Sequence, residues 1–245
     1  MSLGWILILG ANSDMAVAVA KRYAKAGHDI YLASRNIDEC EKQAADIKLR
    51  FGVKALSVAF DARQFESHAS FYSDLPHAPT GVVLAFGVMY EQLDAQQNFA
   101  LAQSMIETNY MGAVSILEIV SADFETKKAG FIVGISSVAG DRGRQSNYIY
   151  GSTKAGLSTY LDGLRHRLFK VGVHVMTVKP GFVDTKMTKG LDLPEKLTAK
   201  PDEVAEAIYK GVERKRNTLY VKSVWSLIML IIRNVPEFVF KKTKL

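Results

Sequence analysis

Apolar residues in this chain gather in short unbroken runs and seldom alternate with polar ones. The first run is Trp5-Ile6-Leu7-Ile8-Leu9, as expected of a parallel strand buried on both faces. A stretch with helical spacing follows to about Ala26, then a turn at Gly27 and a second strand over Asp29–Ala33. The pattern continues with a helix over Asn36–Phe51, a strand over Lys54–Phe60, a helix near Arg63–Leu75 and a strand over Gly81–Phe86. One long helix is predicted for Leu93–Phe124, followed by strand Phe131–Ile135, helix Ser152–Val171 and strand Val173–Val178. Such alternation predicts a doubly wound α/β domain with its sites at the carboxyl ends of the strands. No repeat, low-complexity linker or domain boundary interrupts it.

Composition narrows the classes. A chain of 245 residues, 48% hydrophobic and 23% charged, suits one packed domain. The single cysteine, Cys40, excludes an internal disulfide and suits a reducing, cytoplasmic compartment. Five scattered histidines show no metal-ligand spacing, so no metal is expected. The N-terminus carries no basic region or cleavage-like site before its first apolar run. The net charge of +6 is uneven: residues 209–245 hold nine basic and two acidic residues, which leaves −1 for the first 208. The body is therefore not basic, which argues against nucleic acid as the main partner.

Candidate chemistry centres on Tyr150 and Lys154. Of ten tyrosines, only Tyr150 has a lysine four residues on, and that spacing puts phenol and ammonium on one helix face. A free tyrosine has a pKa of roughly 10, and a neighbouring cation favours its phenolate. Lys154 with a positive nicotinamide ring is expected to bring it towards neutrality, so that Tyr150 protonates a carbonyl as hydride arrives. Ser137 follows an apolar run and is expected to hold that oxygen.

A second candidate is Gly10-Ala11-Asn12-Ser13-Asp14-Met15-Ala16, between the first strand and its helix. A pyrophosphate fits such a helix N-terminus, with Gly10, Asn12, Ser13, Asp14 and Met15 around it. Asp14 is expected to cap the helix and turn its carboxylate onto the backbone. The second strand ends in Ser34-Arg35-Asn36 with no acid. This favours a 2′-phosphate on Arg35, hence NADP(H).

Ser137, Tyr150 and Lys154, with Asn109 in Glu107-Thr108-Asn109-Tyr110, resemble the catalytic set of the short-chain dehydrogenase/reductase family. The resemblance spans about residues 4–221, leaving 222–245 as an apolar and basic C-terminal segment. It implies a Rossmann-type, mostly parallel seven-stranded sheet in three layers, a nicotinamide cofactor and carbonyl/alcohol chemistry. It also implies a homodimer or homotetramer. Asp61 and Ala62 would contact the adenine, and Ala85-Phe86-Gly87 stands where the family has N-A-G. Pro180-Gly181-Phe182-Val183-Asp184-Thr185 matches P-G-x-x-x-T, with Val183 and Thr185 on the nicotinamide carboxamide. Asn109 would open the long helix and hold a water that links Lys154 to solvent. The glycine turn departs from the family: Gly10 is kept, but Asp14 and Ala16 replace the other two glycines.

Residues 182–200, with Gly190 and Pro194, are loop-like, and the family resemblance implies a mobile lid over the substrate there. Ala139-Gly140-Asp141-Arg142-Gly143-Arg144 and the stretch around Tyr150 are similar to a branch of the family that reduces decaprenylphosphoryl-2-keto-β-D-erythro-pentose. That resemblance implies a 2-keto pentose on a polyprenyl phosphate, with Arg142 and Arg144 on the phosphate. A soluble reductase of a 3-oxoacyl, steroid or other small ketone stays open beside it, as does a silent NADP-binding regulator. The run Val224–Ile232 is too short to span a bilayer. With Trp225, Phe238 and Phe240 among basic residues it has the composition of a segment lying on anionic lipid, at the inner face of the membrane. The alternatives are packing on the domain or on a partner subunit.

Overall fold

The computed structural model describes residues 2–190 and 192–243. Seven parallel strands form its central sheet: β1 (Trp5–Leu9), β2 (Asp29–Ser34), β3 (Ala55–Ala59), β4 (Pro79–Leu84), β5 (Phe131–Ile135), β6 (His174–Pro180) and β9 (Thr218–Val221). Their order is β3-β2-β1-β4-β5-β6-β9, the doubly wound arrangement in which the direction of strand addition reverses between β1 and β4. All residues of β1 are buried, as a strand covered on both faces requires.

Helices cover each face. On one side α1 (Asp14–Lys25), α2 (Ile37–Phe51) and α8 (Pro201–Glu213) close a core that includes Ile6, Ile8, Val19, Ile47 and Ile208. On the other, α3 (His68–Ser73), α6 (Gly112–Lys127) and α7 (Tyr148–Phe169) flank a core around Leu7, Leu9, Ile116, Leu157 and Leu161.

The long helix predicted for 93–124 is broken. It forms α4 (Gln92–Gln97), α5 (Phe99–Ile106), a π-helical turn (Glu107–Met111) and then α6. Asn98 is extended, and its side chain caps α5 by accepting the Ala100 N–H at 3.1 Å. The π turn inserts an extra residue, and it does so at Asn109. The helix predicted near 63–75 is shortened to a 3₁₀ turn and α3. Residues 182–200 hold more order than a loop: β7 (Phe182–Val183) pairs in parallel with β8 (Thr198–Ala199), with 3₁₀ turns between.

Beyond β9 the chain adds α9 (Val224–Asn234) and the short α10 (Glu237–Phe240). α9 buries Trp225 and Met229 against Val138 in a third, smaller apolar cluster that Phe182, Leu197 and Tyr220 flank. Among the described residues, no helix is long and apolar enough to cross a membrane. Lys244, part of the basic tally, lies outside the described residues.

Candidate active site

The π turn swings Asn109 inward, where it is buried. Its Oδ1 accepts the Val88 N–H at 2.8 Å, and its Nδ2 donates to Val88 O at 2.9 Å and Thr153 Oγ1 at 3.1 Å. One side chain thus ties the end of β4 to α7. Lys154 lies beside it, buried, with Nζ donating to Ile135 O at 3.0 Å. Ser136 Oγ donates to Lys154 O at 2.9 Å and meets Ser158 Oγ at 2.8 Å. These bonds fix the first turns of α7 against β5.

Ser137 and Tyr150 stand over this layer. The Ser137 hydroxyl accepts the Ala139 N–H at 3.1 Å, and both it and Tyr150 line one cavity. Burial pushes Tyr150 up to about 12, partly offset by the Ser137 hydroxyl. Burial likewise pulls Lys154 down to about 8. The ammonium sits 5.8 Å from the Tyr150 ring centre. The acidified phenol expected from the sequence is therefore not realised by Lys154 alone. The protein by itself keeps Tyr150 protonated.

Two hollows meet here. One is a groove lined by Gly10, Asn12, Ser13, Arg35, Asp61, Ala62, Ala85, Phe86 and Gly87, with Ser34, Phe60, Val88 and Thr108. The other is a cavity of about 210 Å³ beside Ser137 and Tyr150, lined by Met15, Arg144, Phe182, Thr188, Trp225 and others. Pro180, Gly181, Val183 and Thr185 line this second hollow. Asn109 and Lys154 lie beneath, and Asp14 lines neither.

The groove suits a dinucleotide in two places. Gly10 has φ +83°, and a Cβ there would stand 2.5 Å from Phe86 N. Only glycine permits that conformation together with that approach. At Gly87 a Cβ would lie 3.3 Å from both Asn109 Oδ1 and Lys154 Nζ, so its absence keeps the path to Lys154 open. Asn12 serves the fold: its Nδ2 donates to Ser34 Oγ at 3.0 Å and Asn36 O at 2.9 Å. It thereby fixes the bend that presents the exposed Arg35. His68 donates from Nε2 to Asp61 O at 3.0 Å, which holds the Asp61 backbone at the groove.

Two expectations at the turn and loop are corrected. Ser13, not Asp14, caps α1, with its side chain accepting the Ala16 N–H. The Asp14 carboxylate instead accepts the Lys186 backbone N–H at 2.7 Å, reaching the segment after Thr185. Arg142 is not free for a phosphate. Its Nη1 donates to Ile232 O and Val235 O at 2.6 Å each, its Nη2 pairs with Glu237 at 2.9 Å, and its guanidinium lies over the Phe240 ring. Arg144 does face the cavity, with Nη2 donating to Val138 O at 3.2 Å and a buried Nε that has no partner. Asn147 Oδ1, also buried at this cavity, has none either.

Trp225 was expected on lipid and is 4% exposed instead. Its Nε1 donates to Leu197 O at 3.0 Å, and its ring lies on Gly181, where a Cβ would come within 2.0 Å of it. Phe240 is also buried, so Phe238 alone of the three aromatics faces solvent. Periodicity could have signalled Trp225, since Trp225 and Met229 are four apart on one face of α9.

A family profile described as short chain dehydrogenase matches residues 4–196. The chain belongs to that family. It is 34% identical over 240 residues to an uncharacterised oxidoreductase of Streptomyces coelicolor, covering 97% of this chain and 94% of the relative. It is 33% identical over 240 residues to one from Mycobacterium tuberculosis, covering 97% and 96%. A solved short-chain dehydrogenase from Sphingobium yanoikuyae in complex with NADPH has the same fold, with a TM-score of 0.79 at 23% identity, covering 96% of this chain and 97% of that one. The short-chain oxidoreductase is thus an enzyme of carbonyl/alcohol chemistry.

Proposed function

We propose that this oxidoreductase is an NADPH-dependent ketoreductase in which Ser137 orients the substrate carbonyl and Tyr150 protonates it. The observation that carries this reading is that Ser137 and Tyr150 line one cavity, with Lys154 buried beside Asn109 below them. NADPH, held along the groove by the Gly10 turn, Arg35, the Asp61–Ala62 backbone and the Thr185 segment, would supply the hydride. Arg35 favours the phosphorylated cofactor because no acid stands at the end of β2 to meet a 2′-hydroxyl.

The protein's own groups define the proton's path. Ser137 donates to the carbonyl oxygen as negative charge grows there. Tyr150 passes its proton to that oxygen, which completes the alcohol, and the phenolate left behind is stabilised by Lys154. A tyrosine kept protonated by burial is ready to act as an acid.

For the substrate we infer a 2-keto pentose on a polyprenyl phosphate. The loop resemblance supports it, and so does Arg144, a cavity cation with an unpaired Nε beside a 210 Å³ pocket. Arg142 is withdrawn from this role. Contact with the inner membrane face through residues 222–245, and assembly as a homodimer or homotetramer, belong to the same reading.

The test follows NADPH absorbance against a panel of ketones. Wild-type turnover with loss of about 10²–10⁴-fold in Tyr150→Phe is expected. Equal rates in the two proteins would sink the mechanism. Arg144→Ala should raise KM for phosphorylated ketones and leave neutral ones unaffected.

A further inference from the structure

α9 has two unlike faces. Trp225 and Met229 point inward, where Trp225 forms part of the wall of the substrate cavity. On the opposite side Leu227, Leu230 and Ile231 are 58%, 59% and 60% exposed. Their spacing of three and four residues makes one stripe, which Val224 extends. Phe238, 66% exposed, and Val239 continue the apolar surface after α10 begins. Arg233, Lys241 and Lys242, all exposed, accompany it, and the one acid of this segment, Glu237, is already paired with Arg142.

We propose that this face is a docking surface for an anionic lipid bilayer, and that it brings the substrate cavity to the membrane because one helix serves both. The inference rests on the lipid-linked substrate read above and deepens it by naming the route of entry. Apolar side chains bordered by exposed cations are the composition that partitions into an interface and attracts acidic headgroups. The same charge argues against a second copy as occupant. A two-fold contact would set Arg233, Lys241 and Lys242 of one copy against the same cations of the other. Arg142 makes the coupling mechanical. It grips the carbonyls at the end of α9 from the loop that also carries Ser137, so a displacement of α9 is felt at the catalytic hydroxyls.

Two measurements on the full chain test this. In co-sedimentation with phosphatidylglycerol-containing vesicles, wild type should pellet, and should do so poorly with phosphatidylcholine alone. The variant carrying Leu227→Asp, Leu230→Asp and Ile231→Asp should lose that binding by about tenfold or more. It should still reduce a short soluble ketone with NADPH, since the three side chains face away from the cavity, and that rate reports an intact fold. Anionic vesicles should accelerate wild-type turnover of a long-chain ketone and leave the short one unchanged. Equal pelleting of wild type and variant overturns the proposal. So does a drop in oligomer size by light scattering in the variant, which would make the face a protein interface. Vesicle binding without reduction of any ketone would overturn the ketoreductase reading and leave the surface standing.

Discussion

The cavity has two walls built on opposite principles. The inner wall, from β5 and α7, is held by buried polar bonds: Asn109 to Val88 and Thr153, Lys154 to Ile135 O, Ser136 to Ser158. Each partner left alone in that dry layer would cost about 1–3 kcal/mol, so the set admits few substitutions. The outer wall, from β7 and α9, is held by Trp225, Met229 and Phe182 in apolar contact and by the Arg142 clamp. Packing of that kind tolerates change in shape if volume is kept. The proton-transfer groups thus stand in the polar inner wall, and the apolar outer wall faces them across the cavity.

The largest effect should come from the inner wall. Lys154→Met should lower the rate of reduction by about 10²-fold or more. Its pKa falls from 10.5 to about 8 on folding, so the unfolded chain binds more protons between those values. Stability of the parent therefore rises with pH across that window. The variant should lose that pH dependence in denaturant titration, its gain near neutrality from the removed ammonium being offset by about 1–3 kcal/mol for the orphaned Ile135 O. A variant whose stability rises with pH between about 8 and 10.5 as the parent's does would break the assignment of a desolvated lysine. The pH profile sharpens the same point. Wild-type reduction should decline above about pH 8, where Lys154 loses its proton, and a flat profile to pH 10 would count against its role.

Asn109→Ala should come next, with loss of activity and about 1–3 kcal/mol of stability from the unpaired Val88 groups. The outer wall should respond differently. Gly181→Ala must displace the Trp225 ring and should raise KM for a bulky ketone with little change in kcat for a small one. A matching fall in kcat for both would show that the walls are not separable. Smallest of all, Asp14→Asn should alter NADPH affinity by only a few-fold, because the side-chain oxygen can still accept the Lys186 N–H while the charge is gone.

Legibility in the sequence follows the same division. Unbroken apolar runs specify buried strands, so the sheet could be read directly, and Ser137, Tyr150 and Lys154 could be read from their spacing. The break at Asn98 could not, because its capping bond competes locally with an otherwise helical pattern. The π turn at Asn109 depends on Thr153 and Val88, which are distant in sequence. The fate of Arg142 depends on a helix end ninety residues on. Trp225 looked like an interfacial aromatic because composition does not report which side of a helix faces the domain.

The Asp14 carboxylate stands in the cofactor turn yet grips the backbone at Lys186, just past Thr185. With the Lys186 ammonium 3.9 Å from the same carboxylate, that bond joins the threshold of the cleft to the segment beyond it like a hasp. Any outward movement of residues 185–188 must first break this contact, so the expected consequence is a tie between coenzyme turn and cavity edge during release. Breaking it with Asp14→Ala should change the order and pace of departure in stopped-flow traces while the hydride step keeps its rate.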